Sequence, residues 1–214
     1  MDEDVTGEKP SRSEAKRRAI LNAATEVFLK SGYLGTNMDE IAALSGVSKQ
    51  TVYKHFSSKE ALFVEIVSSM TNTAGDLVHN DIAAAETEAV LADFLIDYAY
   101  RQLSVVLTPR LMQLRRLVIG EVPRFPDLAR VLYERGPLRA MRSLAATFEI
   151  LAQRGFLTIG EPMLAAQHFN WLVMSEPLNR TMLMGDDAIP ADDELRRTAR
   201  DGVRVFLAAY GKGK

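Results

Sequence analysis

Apolar residues recur at a helical period along almost the whole of this chain, and that repeat leaves little room for anything but helices. Near the N-terminus Ile20, Ala23, Ala24, Val27 and Phe28 stand at i, i+3, i+4, i+7 and i+8, which is one face of a helix. Leu, Ala, Met, Arg and Glu are frequent throughout, and stretches in which β-branched residues alternate with polar ones are nearly missing. The expected fold class is therefore all-α. The first helix is expected from Ser11 or Ser13 to about Lys30, with Gly32 just past the last periodic residue as its terminator. After a longer helix from Lys59 to about His79, others are expected near 86–107, 109–121, 126–135, 137–154, 161–184 and 191–210. Pro109, Pro137 and Pro162 suit first helical turns, where the missing N–H costs nothing. Pro177, inside a helical pattern, predicts a kink or break.

The stretch TNMDEIAALSGVSKQTVYKHF, residues 36–56, has a more specific shape. Thr36 is expected to cap a short helix, with Asp39 three residues on in place of the Glu of a capping box. Met38, Ile41, Ala42 and Leu44 then form its buried side. Ser45-Gly46-Val47 breaks it, since Gly46 tolerates φ > 0 and Val47 tucks into the corner. Ser48 caps a second short helix, Lys49 to His55. Two short helices joined by a Gly-containing turn of three to four residues form a helix-turn-helix.

The surface of that second helix points to DNA. With Val47, Val52 and Phe56 inward, Lys49, Gln50, Thr51, Tyr53, Lys54 and His55 are left outside, all hydrogen-bond donors with no acid among them. Such a helix fits the major groove, with its first residues at the base edges. Lys49 and Gln50 are candidate readers of guanine and adenine, and Thr51 of a thymine methyl or a phosphate. Tyr53, Lys54 and His55 are placed for the backbone, and Lys59 is a candidate phosphate clamp. The charge is distributed to match. Between Lys9 and Glu60 nine Lys/Arg face five acids, whereas the whole chain carries a formal −2.

Residues 17–66 resemble the N-terminal domain of the TetR family of repressors. The resemblance lies in Ile20-Leu21, Ala23-Ala24, Phe28, Gly32, Thr36, Met38, Ile41-Ala42, Gly46-Val47-Ser48, Tyr53, His55-Phe56 and Lys59-Glu60. It implies that the third helix reads a DNA operator, with Lys49, Gln50, Thr51 and Tyr53 in the base region. Lys54, His55 and Lys59 are implied for the backbone, and Thr36 for a phosphate. LRRLVIGEVPRFPDLARVLYERGP, residues 114–137, resembles the C-terminal domain of the AefR-like branch of that family. The organisation expected is a disordered tail over 1–12, a helix-turn-helix domain over 13–58 and a ligand-binding and dimerisation bundle over 59–214.

The resemblance further implies a homodimeric repressor released from a palindromic operator by a small, apolar effector. Phe94, Tyr98, Met112, Met141, Phe148, Phe169, Trp171 and Met174 are candidate walls for the effector site, Met being adaptable filler. Arg101, Arg115, Arg116, Glu121, Asn170 and Glu176 are polar groups that could orient a ligand or form salt bridges. A lone recognition helix buries little, so such modules pair across a two-fold axis. Leu164, His168 and Leu172 on one helix, and Leu195, Ala199, Val203 and Phe206 on the last, are candidate interface stripes. Each stripe reads equally well as intramolecular core.

Other classes find little support. Cysteine is absent, which removes thiol catalysis and thiolate metal sites and fits a reducing cytoplasm. No Gly-rich phosphate loop, nucleophile elbow or metal-ligand spacing occurs, so no cofactor, metal or catalytic residue is expected and an enzyme is disfavoured. No apolar run nears the ~20 residues that cross a bilayer, and the acidic start is unlike a signal peptide. An architectural or purely protein-binding helical module remains an alternative, separable by preference for a palindromic site.

Overall fold

The computed structural model describes residues 11–79 and 88–212. The tail expectation for residues 1–10 lies outside them. Among the described residues there are ten α-helices and a 3₁₀ turn at Asp186–Ala188, with no strand beyond an isolated bridge between Leu157 and Gly211. They form two compact units, one ending at Val67 and the other beginning at Ser68.

The N-terminal unit holds α1 (Arg12–Gly35), α2 (Met38–Ser45), α3 (Lys49–His55) and the start of α4 (Lys59–His79). α1 begins at a reciprocal cap, which corrects the tail expectation at its last two residues. Ser11 Oγ accepts from the Glu14 amide at 3.2 Å, and Glu14 Oε2 accepts from the Ser11 amide at 2.7 Å. Ile20, Ala23, Ala24, Val27 and Phe28 are its buried face, as their spacing requires. Gly32, at φ +70° and ψ 175°, interrupts the helical geometry and turns the chain through Gly35.

The expected domain edge at residue 58 falls short. Leu62, Phe63, Ile66 and Val67 of α4 are buried, and Phe63 stacks on Phe28 at 5.0 Å and meets Tyr33 at 5.2 Å. These residues complete the N-terminal core, so the unit runs to Val67. A three-helix module of this size buries too little apolar surface without them.

The C-terminal unit contains the rest of α4, then α5 (Glu88–Val106), α6 (Pro109–Gly120), α7 (Pro126–Arg135), α8 (Pro137–Gln153), α9 (Pro162–Met184) and α10 (Asp192–Tyr210). Prolines open α6, α7, α8 and α9. α10 packs on α5 and α9, and α8 on α9. At their centre Phe148 stacks on Phe206 at 4.9 Å, while Phe169 meets both edge-on at 5.7 and 5.2 Å. The break expected at Pro177 does not occur. Pro177 is buried and α9 continues through it to Met184, held from outside by α8 and α10.

Candidate nucleic-acid interface and ligand cavity

The corner between α2 and α3 is built by three local devices. Gly46 adopts φ +69° and its amide donates to the Ala42 and Ala43 carbonyls, which closes α2. Ser48 Oγ accepts from the Thr51 amide at 3.2 Å and opens α3. Val52 is fully buried and Phe56 nearly so, which fixes the rotation of α3 about its axis. That rotation sends Gln50, Tyr53 and Lys54 outward, with Tyr53 43% exposed. Among the described residues none of these three makes a hydrogen bond or ion pair, so their donors are available.

The other predicted DNA contacts are differently occupied. Thr36 is buried, and its hydroxyl donates to the Gly32 carbonyl at 2.7 Å; it closes α1 and does not cap α2. The α2 cap is Asn37, whose Oδ1 accepts from the Asp39 amide at 2.9 Å, so the Thr36–Asp39 capping box does not form. Leu44, expected on the buried side of α2, is 55% exposed. Lys49 is exposed but lies 2.8 Å from Asp39, whose hydrogen bond and charge hold its ammonium above the ordinary lysine range. Asp39 thus supplies the acid that α3 itself lacks. Thr51 is half-buried, its hydroxyl 2.8 Å from Ser48 Oγ, and His55 is half-buried beside Phe56.

Lys59 is spent inside the unit. Its ammonium donates to the Thr36 and Leu34 carbonyls at 2.8 and 3.3 Å and lies 4.8 Å from the centre of the Tyr33 ring. It therefore caps the end of α1 and is not held ready as a phosphate clamp. Arg17, in the basic stretch ahead of the motif, is paired with Glu65 at 2.5 Å.

Within the C-terminal unit a cavity of about 190 Å³ opens among α4 to α9. Of the eight predicted wall residues only Trp171 and Met174 line it. Tyr98, Met112, Met141, Phe148 and Phe169 are buried elsewhere in the core, and Phe94 packs against it half-buried. Large apolar side chains at helical spacing found one another, which is the commoner fate of such residues. The cavity's actual walls include Leu111, Leu114, Tyr133 and Leu178, with Gln102, Arg115 and Asn170 as polar members. Of the other polar candidates, Arg116 binds Asp186, Glu121 pairs with Arg124 at 2.6 Å and Glu176 with Arg180 at 3.4 Å. Gln102 had a readable signal: it is the lone amide on the buried stripe Leu91, Leu95, Tyr98, Ala99, Leu103 of α5.

The predicted interface stripes divide. Leu195, Ala199, Val203 and Phe206 are buried within this chain's own core and are not presented to a partner. Leu164 and Leu172 are exposed on α9, together with Met163 and Trp171. His168 lies between them, exposed, with Nδ1 2.6 Å from the Tyr210 hydroxyl. No group of metal-ligating side chains gathers among the described residues, and no described helix is long and apolar enough to cross a membrane.

Known proteins share both units. Residues 20–66 match the family described as bacterial regulatory proteins, tetR family. Residues 93–212 match the AefR-like transcriptional repressor C-terminal domain. A TetR-family transcriptional regulator from Mesorhizobium loti superposes with a TM-score of 0.85 at 39% identity, over 94% of this chain and all of that one. The flavonoid-responsive regulator FrrA superposes at 0.74 and 31% identity, over 93% and 98% of the two chains. The HTH-type transcriptional regulator RutR of Escherichia coli is 42% identical over 63 residues, 29% of this chain and 30% of its own length. The chain thus spans about a third of that relative. With its DNA-binding motif and its C-terminal half both matched, the chain belongs to the TetR family of transcriptional regulators and carries an AefR-like C-terminal domain; it is a DNA-binding regulator, not an enzyme.

Proposed function

We propose that the protein is a homodimeric repressor that holds a palindromic operator and leaves it when a small molecule fills the C-terminal cavity. The observation that carries this reading is the outer face of α3, where Gln50, Tyr53 and Lys54 stand exposed with their donors unspent. Gln50 is suited to adenine, while Tyr53 and Lys54 hold register on the sugar-phosphate backbone. Lys49 joins them on exchanging Asp39 for a base or phosphate, and Thr51 and His55 flank the contact. Repression is favoured by the C-terminal match, whose description is that of a repressor domain. Response to a small molecule is favoured by the likeness to a flavonoid-responsive regulator and by a cavity with polar groups in its wall.

Dimerisation follows from what α9 leaves uncovered. Leu164, Trp171 and Leu172 are 40–48% exposed on one face of a long helix, and a second copy would bury them symmetrically. Two recognition helices about 34 Å apart then read successive major grooves. Release requires the effector to prefer the conformation in which that spacing is lost. Selection of bound fragments from random DNA, with light-scattering measurement of the free protein, tests the whole reading. An inverted repeat and a dimer mass are expected; a monomer that enriches no sequence would sink it.

A further inference from the structure

The inference drawn next rests on the reading of the C-terminal cavity as an effector site, and it concerns the chemistry of the effector. Two polar groups in the wall are left with opposite needs. Arg115 is half-buried, has no hydrogen bond or ion pair among the described residues, and loses enough water that desolvation alone lowers its pKa. Gln102 is only 4% exposed, and its Oε1 is buried without a partner. Its Nε2 donates to Asn170 Oδ1 at 2.8 Å, which ties both amides to the wall. A cation lacking an anion and an amide lacking a partner, in one cavity, are a cost to the empty protein that a ligand can remove.

We propose that the cavity takes a small amphipathic acid of about one aromatic ring, its carboxylate on Arg115 and a hydroxyl at its other end on the Gln102 amide. The planar guanidinium fork matches a carboxylate. A hydroxyl both donates and accepts, so it satisfies the Gln102–Asn170 pair whichever way the coupled amides are turned. The charge of the ligand follows from the wall. Arg115 is the only ionised group lining the cavity, and the neighbouring Arg139, beside Gly75, is already paired with Asp76 at 2.6 Å. A single negative charge balances that cation, whereas a phosphate dianion would leave an excess charge buried. The size follows from the volume. At about 190 Å³ it exceeds only modestly an engineered cavity of about 150 Å³ that accepts benzene. Trp171, Tyr133, Met174 and Leu114 supply an apolar, partly aromatic seat for the ring.

Trp171 is the chain's only tryptophan and lies in the cavity wall, so its fluorescence reports occupancy directly. The full-length protein is titrated with 4-hydroxybenzoate and 4-hydroxycinnamate and with their primary amides. Saturable fluorescence changes are expected, with each acid at least tenfold tighter than its amide. Arg115→Met is expected to bind acid and amide equally and to melt no lower than the wild type, since an unpaired cation gives way to an apolar chain of similar length. Arg115→Lys, which keeps the charge without the planar fork, is expected to retain the acid preference at several-fold weaker affinity. Gln102→Leu is expected to bring the hydroxylated acid down to the affinity of benzoate. The proposal is overturned if the amides bind as well as the acids, if neither gives a saturable response, or if the acid preference survives Arg115→Met. Operator binding on the same samples separates the two readings. Acid binding without specific DNA binding leaves this inference standing and removes the regulator reading; operator release by neutral compounds alone does the opposite.

Discussion

In the unit ending at Val67, the groups free for recognition lie on one seven-residue helix and point to solvent; in the unit beginning at Ser68, they come from six helices and point into a cavity. The first arrangement needs little more than correct local structure. Gly46, Ser48 and Val52 set the start and rotation of α3, and Gln50, Tyr53 and Lys54 are then outward by default. The second needs tertiary structure. Gln102 and Asn170 are 68 positions apart, and their contact exists only because α5 and α9 pack together. A surface reader is thus written in consecutive letters, while a pocket is written in residues that meet only after folding.

Breaking each core in turn tests that contrast most severely. Phe63→Ala and Phe169→Ala should each cost about 3–5 kcal/mol, seen in denaturant unfolding. Phe63→Ala is expected to lose specific operator binding while Trp171 still responds to cavity ligands, and Phe169→Ala to lose the ligand response. If Phe63→Ala abolishes the Trp171 response as strongly as it abolishes DNA binding, the two sites are not separately encoded. The double variant Gln50→Ala/Tyr53→Ala touches no core contact. It should lower specific affinity by about 100-fold or more, with non-specific binding and melting temperature nearly unchanged, as read by anisotropy and thermal unfolding.

Smaller effects sharpen the assignment within the N-terminal unit. Lys59→Met removes the ammonium bonded to the Thr36 and Leu34 carbonyls, and should cost about 1–3 kcal/mol of stability with the salt dependence of DNA binding intact. A shallower salt slope at unchanged melting temperature would return Lys59 to phosphate contact. Ser48→Ala should cost about 1 kcal/mol by uncapping α3. Lys54→Ala should leave stability alone and reduce the salt slope by about one counterion.

How much could be read in advance differs between the units for the same reason. The helical stripe of α1, the Gly46 turn and the Ser48 cap were legible because their partners lie within four residues. Thr36, Lys49 and Lys59 were misjudged because what occupies them is farther away. Thr36 turns back to Gly32, Lys49 meets Asp39 ten residues earlier, and Lys59 reaches Thr36 twenty-three residues earlier. In the C-terminal unit every helix could be placed, yet Leu195, Ala199, Val203 and Phe206 turned inward where a partner was expected. A stripe at helical spacing says that a face is buried, and not by what. Arg115 and Asn170 were visible only as polar residues; that Arg115 is unpaired depends on where Asp76, Asp186 and the other acids are spent.

The central claim is that α3 reads sequence through an outward face of which Gln50 is the leading member. It is tested most directly by comparing the DNA motifs that the wild type and Gln50→Ala select from one random pool. The wild type is expected to enrich an inverted repeat. Gln50→Ala should enrich the same repeat with preference lost at one symmetry-related pair of positions. Identical motifs from the two proteins, or no enrichment by the wild type, would contradict the account.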